Sequence, residues 1–240
     1  MFNFYKNNKN DLWKIIKRTA TRKNIDTSYI EKDMWVCLTL DYLFNKCKYK
    51  DLLVFAGGTC LSKCYHIINR FSEDIDIALY WNVIGYDSDL REKRTNSQRD
   101  KLIKNIKKRT SSFLEEKLLP IIKKDFETLL DKDNKITFQY KDDSIYINYP
   151  HLFQYQYINP EIKIEIGTLS AIKPKEKISV VPYIQEIYPD AFKFERIQTY
   201  SISPTRIFWD KVTILHQEAH RSSDAKFAER CARHYYDLYC

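Results

Sequence analysis

The sequence predicts an α+β fold in which helices flank a mixed β-sheet. A short apolar run at residues 52–55 is followed by Gly57-Gly58 and a helical pattern, which is the order strand, turn, helix. Residues 161–166 alternate between apolar and charged side chains, as a half-buried strand does. Segments with apolar residues at helical spacing precede and follow these strands. The helices are therefore expected to form layers around the sheet.

Composition supports a folded, basic protein. The 240 residues are 44% hydrophobic and 15% aromatic with only four glycines, which is typical of a globular protein and excludes a disordered or fibrous one. The formal charge of +8 favours association with nucleic acid or another polyanion. Solvated surface lysines would produce the same total, so charge alone does not identify the partner.

The cysteines and the apolar runs indicate a cytoplasmic protein that does not enter a membrane. No secretory leader and no apolar run of membrane-spanning length is present. Cys60 and Cys64 could share a helix face, but no second pair of ligands accompanies them. The six cysteines are therefore expected to be reduced, and those inside the protein to pack as small apolar residues.

The elements are expected in a definite order along the chain. Pro120 should break or kink the long segment in which it lies, because proline has no amide donor. Ser203-Pro204 has the residue types of a helix N-cap and first turn. The expected helices are two within 12–44, one at 59–68, two within 96–130, one at 204–220 and one at 225–239; the expected strands are 52–55, 75–80, 136–140, 144–149 and 161–166, and 85–99 is expected to be a mobile loop.

No linker marks a clean domain border. Residues 1–200 are expected to form the core together with the N-terminal helices, and residues 201–240 a C-terminal helical portion. The chain ends inside an apolar helical pattern, at Tyr239-Cys240, so this portion is expected to be truncated.

Asp74 and Asp76 are the first candidates for chemistry. Residues two apart on a strand point to the same side, whereas Ile75 and Ile77 point to the other. Two carboxylates about 4 Å apart repel by roughly 4 kcal/mol at an effective dielectric constant near 20. A divalent cation with oxygen ligands would relieve that repulsion and could assist a reaction at phosphate. The alternative is an exposed strand end or a helix-capping group.

A glycine turn precedes the two aspartates. Gly57 and Gly58 allow the backbone to approach a triphosphate, and the amides at the start of the following helix, with Thr59, favour anions. Arg70 and Ser72 lie just before the aspartates, where the arginine could contact phosphate and the serine orient the turn. A surface arginine and a turn serine would need no such role.

Three further residues are weaker candidates. Glu165 lies on the polar face of its strand and would complete a metal-binding cluster with the two aspartates if the strands are neighbours, or be ordinary sheet surface. Lys211, in an apolar helix, either reaches phosphate or extends its ammonium group to water. Asp237 follows Arg233 by four residues and could close an ion pair within a helix.

These motifs resemble the AbiEii nucleotidyltransferase-like toxins of bacterial toxin–antitoxin and phage-defence systems. The resemblance covers nearly the whole chain, in the expected order. It is carried by Phe-Ala-Gly-Gly-Thr-Cys-Leu-Ser-Lys from Phe55, Arg-Phe-Ser-Glu-Asp-Ile-Asp-Ile from Arg70, Glu-Lys-Asp-Met-Trp from Glu31, Trp-Asp-Lys from Trp209 and Arg-His-Tyr-Tyr-Asp-Leu from Arg233.

The resemblance implies a polymerase-β-like nucleotidyltransferase fold, a nucleoside triphosphate substrate and dependence on Mg²⁺ or Mn²⁺. It implies that Gly58 and Thr59 hold phosphate, that Asp74 and Asp76 bind metal, and that Lys211 contacts the nucleotide phosphates. It also implies that an acid at position 237 is essential. Some family members add nucleotides to the acceptor end of tRNA and are neutralised by a cognate antitoxin.

Two features depart from the family pattern. A threonine follows the glycines where the superfamily commonly has serine, although the hydroxyl is retained. The chain also ends where relatives usually continue with further helices, which bears on any substrate or antitoxin surface formed there.

The leading hypothesis is transfer of a nucleoside monophosphate to RNA, with tRNA as the expected acceptor and Glu165 as base or further metal ligand. A second hypothesis keeps the site and moves the nucleotide to a protein hydroxyl or a small molecule. A third is a nucleotide- or RNA-binding module without catalytic activity.

Overall fold

The protein was analysed as a computed structural model. It describes residues 1–7, 9–86, 92, 94–130, 135–156, 158–168, 172–189, 196–222 and 231–240. Of the loop expected at 85–99, residues 87–91 and 93 lie outside the described residues, and residues 96–99 are helical instead. The start of the helix expected from residue 225 also lies outside the described residues.

The expected α+β class is confirmed: the described chain forms a mixed sheet flanked by helices. The helices are α1 (Phe2–Asn7), α2 (Lys9–Lys23), α3 (Thr27–Asp41), α4 (Gly57–Lys63), α5 (Asn96–Phe113), α6 (Leu119–Leu129), α7 (Tyr183–Ile187), α8 (Pro204–Ala219) and α9 (Ala232–Tyr239). The strands are β1 (Leu53–Ala56), β2 (Ile75–Leu79), β3 (Thr137–Lys141), β4 (Ser144–Asn148), β5 (Glu161–Gly167), β6 (Lys175–Val180) and β7 (Ile197–Ile202).

The seven strands form one sheet in the order β3-β4-β5-β2-β1-β7-β6. Strand β2 is central: it runs antiparallel to β1 and parallel to β5. In this register Asp76 lies opposite Ala56 on one side and Glu165 on the other. Strands β2 and β5, which the sequence analysis left open as possible neighbours, are therefore paired, and they place these two carboxylates side by side.

Two strands were not expected from the sequence. Strand β6 lies at the edge of the sheet and is largely polar, and β7 joins it to β1. An edge strand is buried on few sides, so it has no clear apolar pattern to predict it. Because β7 covers Ile197–Ile202, the boundary expected at residue 200 falls inside a strand.

Several helix predictions need correction. The helix expected at 59–68 is α4, which begins at Gly57 and already ends at Lys63. The chain then runs without regular structure toward β2 and delivers Arg70 and Ser72. The break expected near Pro120 is confirmed, since α6 begins at Leu119 with the proline in its first turn.

In the described residues, no helix has the length and apolar character needed to cross a bilayer.

Helix α3 carries three consecutive charged residues that are buried, namely Glu31, Lys32 and Asp33. Lys32 contacts Glu73 at 2.7 Å, and Asp33 contacts Lys63 at the same distance. Buried charges are tolerated only when they are paired. These pairs therefore fix α3 against α4 and against the segment just before Asp74.

Glu31 uses its carboxylate to hold a loop. Its two oxygens accept the backbone N–H groups of Leu152 and Phe153 at 2.7 and 3.3 Å, and Tyr155 donates at 3.3 Å. Burial nevertheless raises its pKa from 4.5 to about 7, although these hydrogen bonds oppose the shift. The folded protein therefore binds a proton at Glu31 more tightly than the unfolded chain does.

We expect Asp33→Ala to lower the free energy of unfolding by about 3–5 kcal/mol, because it leaves the buried ammonium group of Lys63 without its partner. The matched control is Asp11→Ala, which breaks the exposed Asp11–Lys14 pair and should cost less than about 1 kcal/mol. Urea denaturation of both variants measures the difference, and equal losses would contradict a structural role for the buried pair.

The raised pKa of Glu31 gives a pH dependence with a definite sign. A carboxyl group that binds its proton more tightly in the folded state stabilises the fold less as pH rises through the interval between the two pKa values. The free energy of unfolding of the wild type, relative to Glu31→Gln, should therefore fall between pH 4.5 and pH 7. Urea denaturation across this range, with exposed Glu127→Gln as control, tests it; parallel wild-type and Glu31→Gln curves would reject it.

Candidate active site

A cavity of about 850 Å³ opens where the centre of the sheet meets α8 and α9. Its volume is in the range of small-molecule sites. The sheet side is lined by Ala56, Gly57, Gly58, Arg70, Ser72, Asp74, Asp76, Lys163 and Glu165. The helix side is lined by Arg206, Ile207, Asp210, Lys211, Thr213, Ile214, Gln217, Arg233 and His234.

Carboxylates form one wall of the cavity. Asp76 is on β2, Asp74 directly precedes that strand, and Glu165 is in register with Asp76 on β5. Burial, and after it the charges of Glu165 and Asp74, raise the pKa of Asp76 to about 7, while the charges of Lys211 and Lys163 oppose the shift. This wall therefore has an excess of negative charge that a bound cation would relieve.

The glycine turn lies against this wall and against Arg70. Gly57 has φ +73°, and a Cβ at this position would lie 1.7 Å from Oδ2 of Asp76. A Cβ on Gly58 would lie 2.7 Å from Nη2 of Arg70 and 2.9 Å from Oγ of Ser72. Gly57 therefore needs both the left-handed backbone and the missing side chain of glycine, whereas Gly58 needs only the missing side chain.

Two cations meet on the helix side through one carboxylate. Arg70 donates from Nε and Nη2 to the two oxygens of Asp237, at 2.7 and 2.6 Å. Lys211 contacts Oδ2 of Asp237 at 2.7 Å. Burial raises the pKa of Asp237, but the hydrogen bonds and charges of Arg70 and Lys211 outweigh it and lower that pKa below its ordinary value. Asp237 is thus ionised and holds both cations beside the cavity.

The pairing of Asp237 differs from the ion pair with Arg233 that its spacing suggested. Its carboxylate contacts residues from the segment before β2 and from α8 instead. It has no surface in the cavity lining, whereas Arg70 and Lys211 do. The carboxylate of Asp237 therefore contacts both cations from behind the cavity wall.

Thr59 is also placed differently from the expectation that it holds phosphate. It is fully buried, and its hydroxyl donates to the backbone oxygen of Asp74 at 2.5 Å, which leaves its oxygen free to accept from the Ser72 hydroxyl 3.0 Å away. These bonds tie the start of α4 to the segment that carries the first aspartate. Thr59 supports the geometry from beneath the cavity and does not line it.

The donor set suits a divalent cation shared with phosphate oxygens. In the described residues, no three His, Cys, Asp or Glu side chains lie close enough together to hold a metal ion by themselves. Glu165 is bonded to Lys163. The expected cluster of three carboxylates is therefore not preformed. Mg²⁺ is commonly held by one or two carboxylates together with substrate phosphates. Asp74 and Asp76 can supply the carboxylates.

Three cavity residues were not predicted as site residues from the sequence, namely Arg206, Asp210 and His234. Arg206 contacts Asp210 at 2.9 Å, across one turn of α8. His234 precedes Asp237 by three residues, so a helix over this segment puts both on one face. That spacing was a signal for His234, but only the packing of α9 against α8 shows that this face points to the cavity.

Comparison with known proteins identifies the family of this chain. The family model of the nucleotidyltransferase AbiEii toxin of type IV toxin–antitoxin systems matches residues 40–240. The chain therefore belongs to the AbiEii family. Among solved structures, it is similar to the nucleotidyltransferase toxin MenT4 from Mycobacterium tuberculosis H37Rv at 15% identity, with a TM-score of 0.40 over 82% of this chain. The chain spans 61% of MenT4. No curated protein matches.

We expect Asp237→Asn to destabilise the protein by about 3 kcal/mol at pH 7, because removing one member of a buried ionic group leaves the others uncompensated. Since the pKa of Asp237 is lowered in the folded state, its contribution is present above the unfolded pKa near 3.8 and is lost as pH falls through the folded value.

Urea denaturation at pH 7 and in acid tests this prediction. Asp210→Asn is the matched control, because it changes the same residue type in the more exposed pair with Arg206 and should cost less than about 1 kcal/mol. We call the group formed by Arg70, Lys211 and Asp237 the clamp. If Asp237→Asn lowers the free energy of unfolding no more than the control does, the clamp does not stabilise the fold.

Proposed function

We propose that this member of the AbiEii family is a toxin that transfers a nucleoside monophosphate from a nucleoside triphosphate to an RNA hydroxyl, with tRNA as the acceptor. The observation that carries the proposal is the single cavity with carboxylates on one wall and two clamped cations on the other. Phosphoryl transfer needs both: a site for a divalent cation and positive charge for the polyphosphate.

The triphosphate is proposed to lie between the glycine turn and the clamp. Gly57 and Gly58 let the backbone approach the phosphates closely, and Ser72 orients this turn through Thr59. Arg70 and Lys211 face the phosphate oxygens while Asp237 keeps them in place. Because Asp237 cancels only one of the two charges, the clamp keeps a net charge of +1 for the polyphosphate.

Asp74 and Asp76 are the proposed ligands of a divalent cation, Mg²⁺ or Mn²⁺, completed by phosphate oxygens. Such a cation, when bound, neutralises charge that develops on the phosphates and polarises the α-phosphate. Glu165 is the proposed base or further ligand. Its bond to Lys163 has to open for either role.

The proposed reaction is an in-line displacement. The RNA hydroxyl oxygen forms a bond to the α-phosphorus, the bond from that phosphorus to the bridging oxygen breaks, and pyrophosphate leaves. The hydroxyl proton goes to the base. Modification of the tRNA acceptor end would stop translation, which is the proposed basis of toxicity and of a role in phage defence.

The partners follow from this activity. A cognate antitoxin is proposed to neutralise the toxin, and the cytoplasm is the proposed compartment because triphosphates and tRNA are found there.

The organisation into a core of residues 1–200 and a helical portion of residues 201–240 stays a prediction. The two parts are joined by the clamp, since Arg70 lies in the first and Asp237 in the second.

We expect Asp76→Ala to reduce labelling of total tRNA by at least about 100-fold when the protein is incubated with Mg²⁺ and labelled triphosphates. The loss of one charged ligand at the reacting phosphate removes several kcal/mol of transition-state stabilisation. The matched control is Asp51→Ala, which changes an exposed aspartate outside the cavity and should keep wild-type labelling.

Separating the products by gel distinguishes the alternatives. Equal labelling by wild type and Asp76→Ala would reject the assigned site. Label on protein or on a small molecule, with unlabelled RNA, would reject the RNA acceptor. It would favour transfer of the nucleotide to a protein hydroxyl or to a small molecule.

A further inference from the structure

His234 is a cavity residue that the proposed reaction does not use. It lies on α9 and shares the cavity lining with Arg70 and Lys211. It precedes Asp237 by three residues, so the imidazole and the clamp carboxylate project from neighbouring positions on one helix face. The ring is thus held by the same helix that fixes both phosphate-binding cations.

One nitrogen of this ring is buried without a partner. Among the described residues, Nδ1 of His234 has no hydrogen-bond partner. A buried polar atom without a hydrogen bond costs on the order of 1–3 kcal/mol. This nitrogen has almost no solvent-accessible surface, but the imidazole that carries it lines the cavity, so a turn of the ring about χ2 would present it to a ligand there.

Burial and the neighbouring charges favour the neutral form of the His234 imidazole in the free protein. Burial is the largest effect, and it lowers the pKa of the imidazole below 6.5. Lys211 on α8 and Arg70 before β2 lower it further, whereas Asp237 on the same helix raises it. Arg233 also lines the cavity. Both cations that lower this pKa are ones to which a polyphosphate would bring negative charge.

We propose that His234 is a further ligand of the polyphosphate chain and that its imidazole takes up a proton when the polyphosphate binds. This inference rests on the proposed function, because it places the phosphates at Arg70 and Lys211. The ligand class is an inorganic or nucleotide polyphosphate, since phosphate oxygens supply both the acceptors for ring N–H groups and the negative charge that favours the imidazolium.

The direction of the pH effect follows from linkage. If bound phosphate raises the pKa of His234, the complex holds more protons than the free protein between the two pKa values. The contribution of His234 to the affinity for polyphosphate is then greatest at low pH and falls as pH rises through that interval. Asp76, whose pKa is raised to about 7, lines the same cavity and titrates as well, so the contribution of His234 is the difference between the wild type and a variant that lacks the imidazole. One linked proton changes the affinity by about tenfold per pH unit at most.

Protonation of His234 would also matter during the transfer. An imidazolium beside Arg70 and Lys211 lies next to the charge that the leaving pyrophosphate gains in the proposed reaction. Positive groups that are already in place where charge develops stabilise a transition state without further rearrangement. The proton stays on the ring in this scheme and leaves it when pyrophosphate departs.

The test uses inorganic pyrophosphate as the probe, with EDTA present so that no metal contributes. Calorimetry in two buffers of different ionisation enthalpy measures proton uptake by the wild type, His234→Gln and the control His216→Gln, whose exposed ring lies on α8 outside the cavity lining. The wild type and the control should take up more protons than His234→Gln, and that variant should bind about tenfold more weakly. Pyrophosphate contributes the same protons in each case, so the difference belongs to the imidazole.

An NMR titration of the wild-type imidazole gives an answer even if His234→Gln fails to fold. The pKa of His234 should lie below 6.5 in the free protein and rise when pyrophosphate is added. Any of three results would overturn the inference: the wild type binds no pyrophosphate, its imidazole pKa stays unchanged when pyrophosphate is added, or His234→Gln takes up as many protons as the wild type.

The two proposals can fail separately. Pyrophosphate binding with a raised imidazole pKa, in a protein that labels no RNA, would reject the RNA transferase and leave this inference standing. Labelled RNA together with an unchanged imidazole pKa would do the reverse.

Discussion

The carboxylate of Asp237 is the contact on which the candidate site depends. Arg70 and Lys211 carry the same charge and come from different parts of the chain, so they would separate if nothing neutralised them. Asp237 binds both, and it does so from α9, near the end of the chain. One buried group therefore joins the segment before β2, helix α8 and helix α9 into one wall of the cavity. An ion pair confined to α9 would have shaped only that helix.

The opposite wall is built by the sheet register. Strand β2 lies between β1 and β5, so Asp76 is fixed next to Ala56 and Glu165 and cannot move away from the other acids. The raised pKa of Asp76 shows that this placement is unfavourable without a positive partner. Without a bound cation, the protein is therefore less stable than it would be with uncharged residues at these positions. That is the usual cost of groups placed for binding or reaction.

Local patterns predicted the elements that carry the site, because they depend on neighbouring residues. Period-two alternation put Asp74 and Asp76 on one side, and Ser203-Pro204 correctly predicted the start of α8. The same reasoning extended α4 too far, since nothing local shows that the chain must leave the helix after Lys63 to bring Arg70 to Asp237. It also gave no sign that Glu31 and its charged neighbours are buried. The Glu31 partner Leu152 lies more than a hundred positions away, and even Glu73 and Lys63, the partners of Lys32 and Asp33, belong to other elements of the fold.

By itself, then, the sequence determined the α+β class, the glycine turn, the paired aspartates and the resemblance to the AbiEii family. All of these are written in short segments whose geometry follows from backbone sterics and side-chain periodicity. Only the tertiary structure decided that Asp237 clamps Arg70 and Lys211, that Thr59 lies beneath the cavity and that His234 faces it. The reason is that a charge or a polar group takes its role from the partners that folding brings to it, and the spacing of residues along the chain does not specify them.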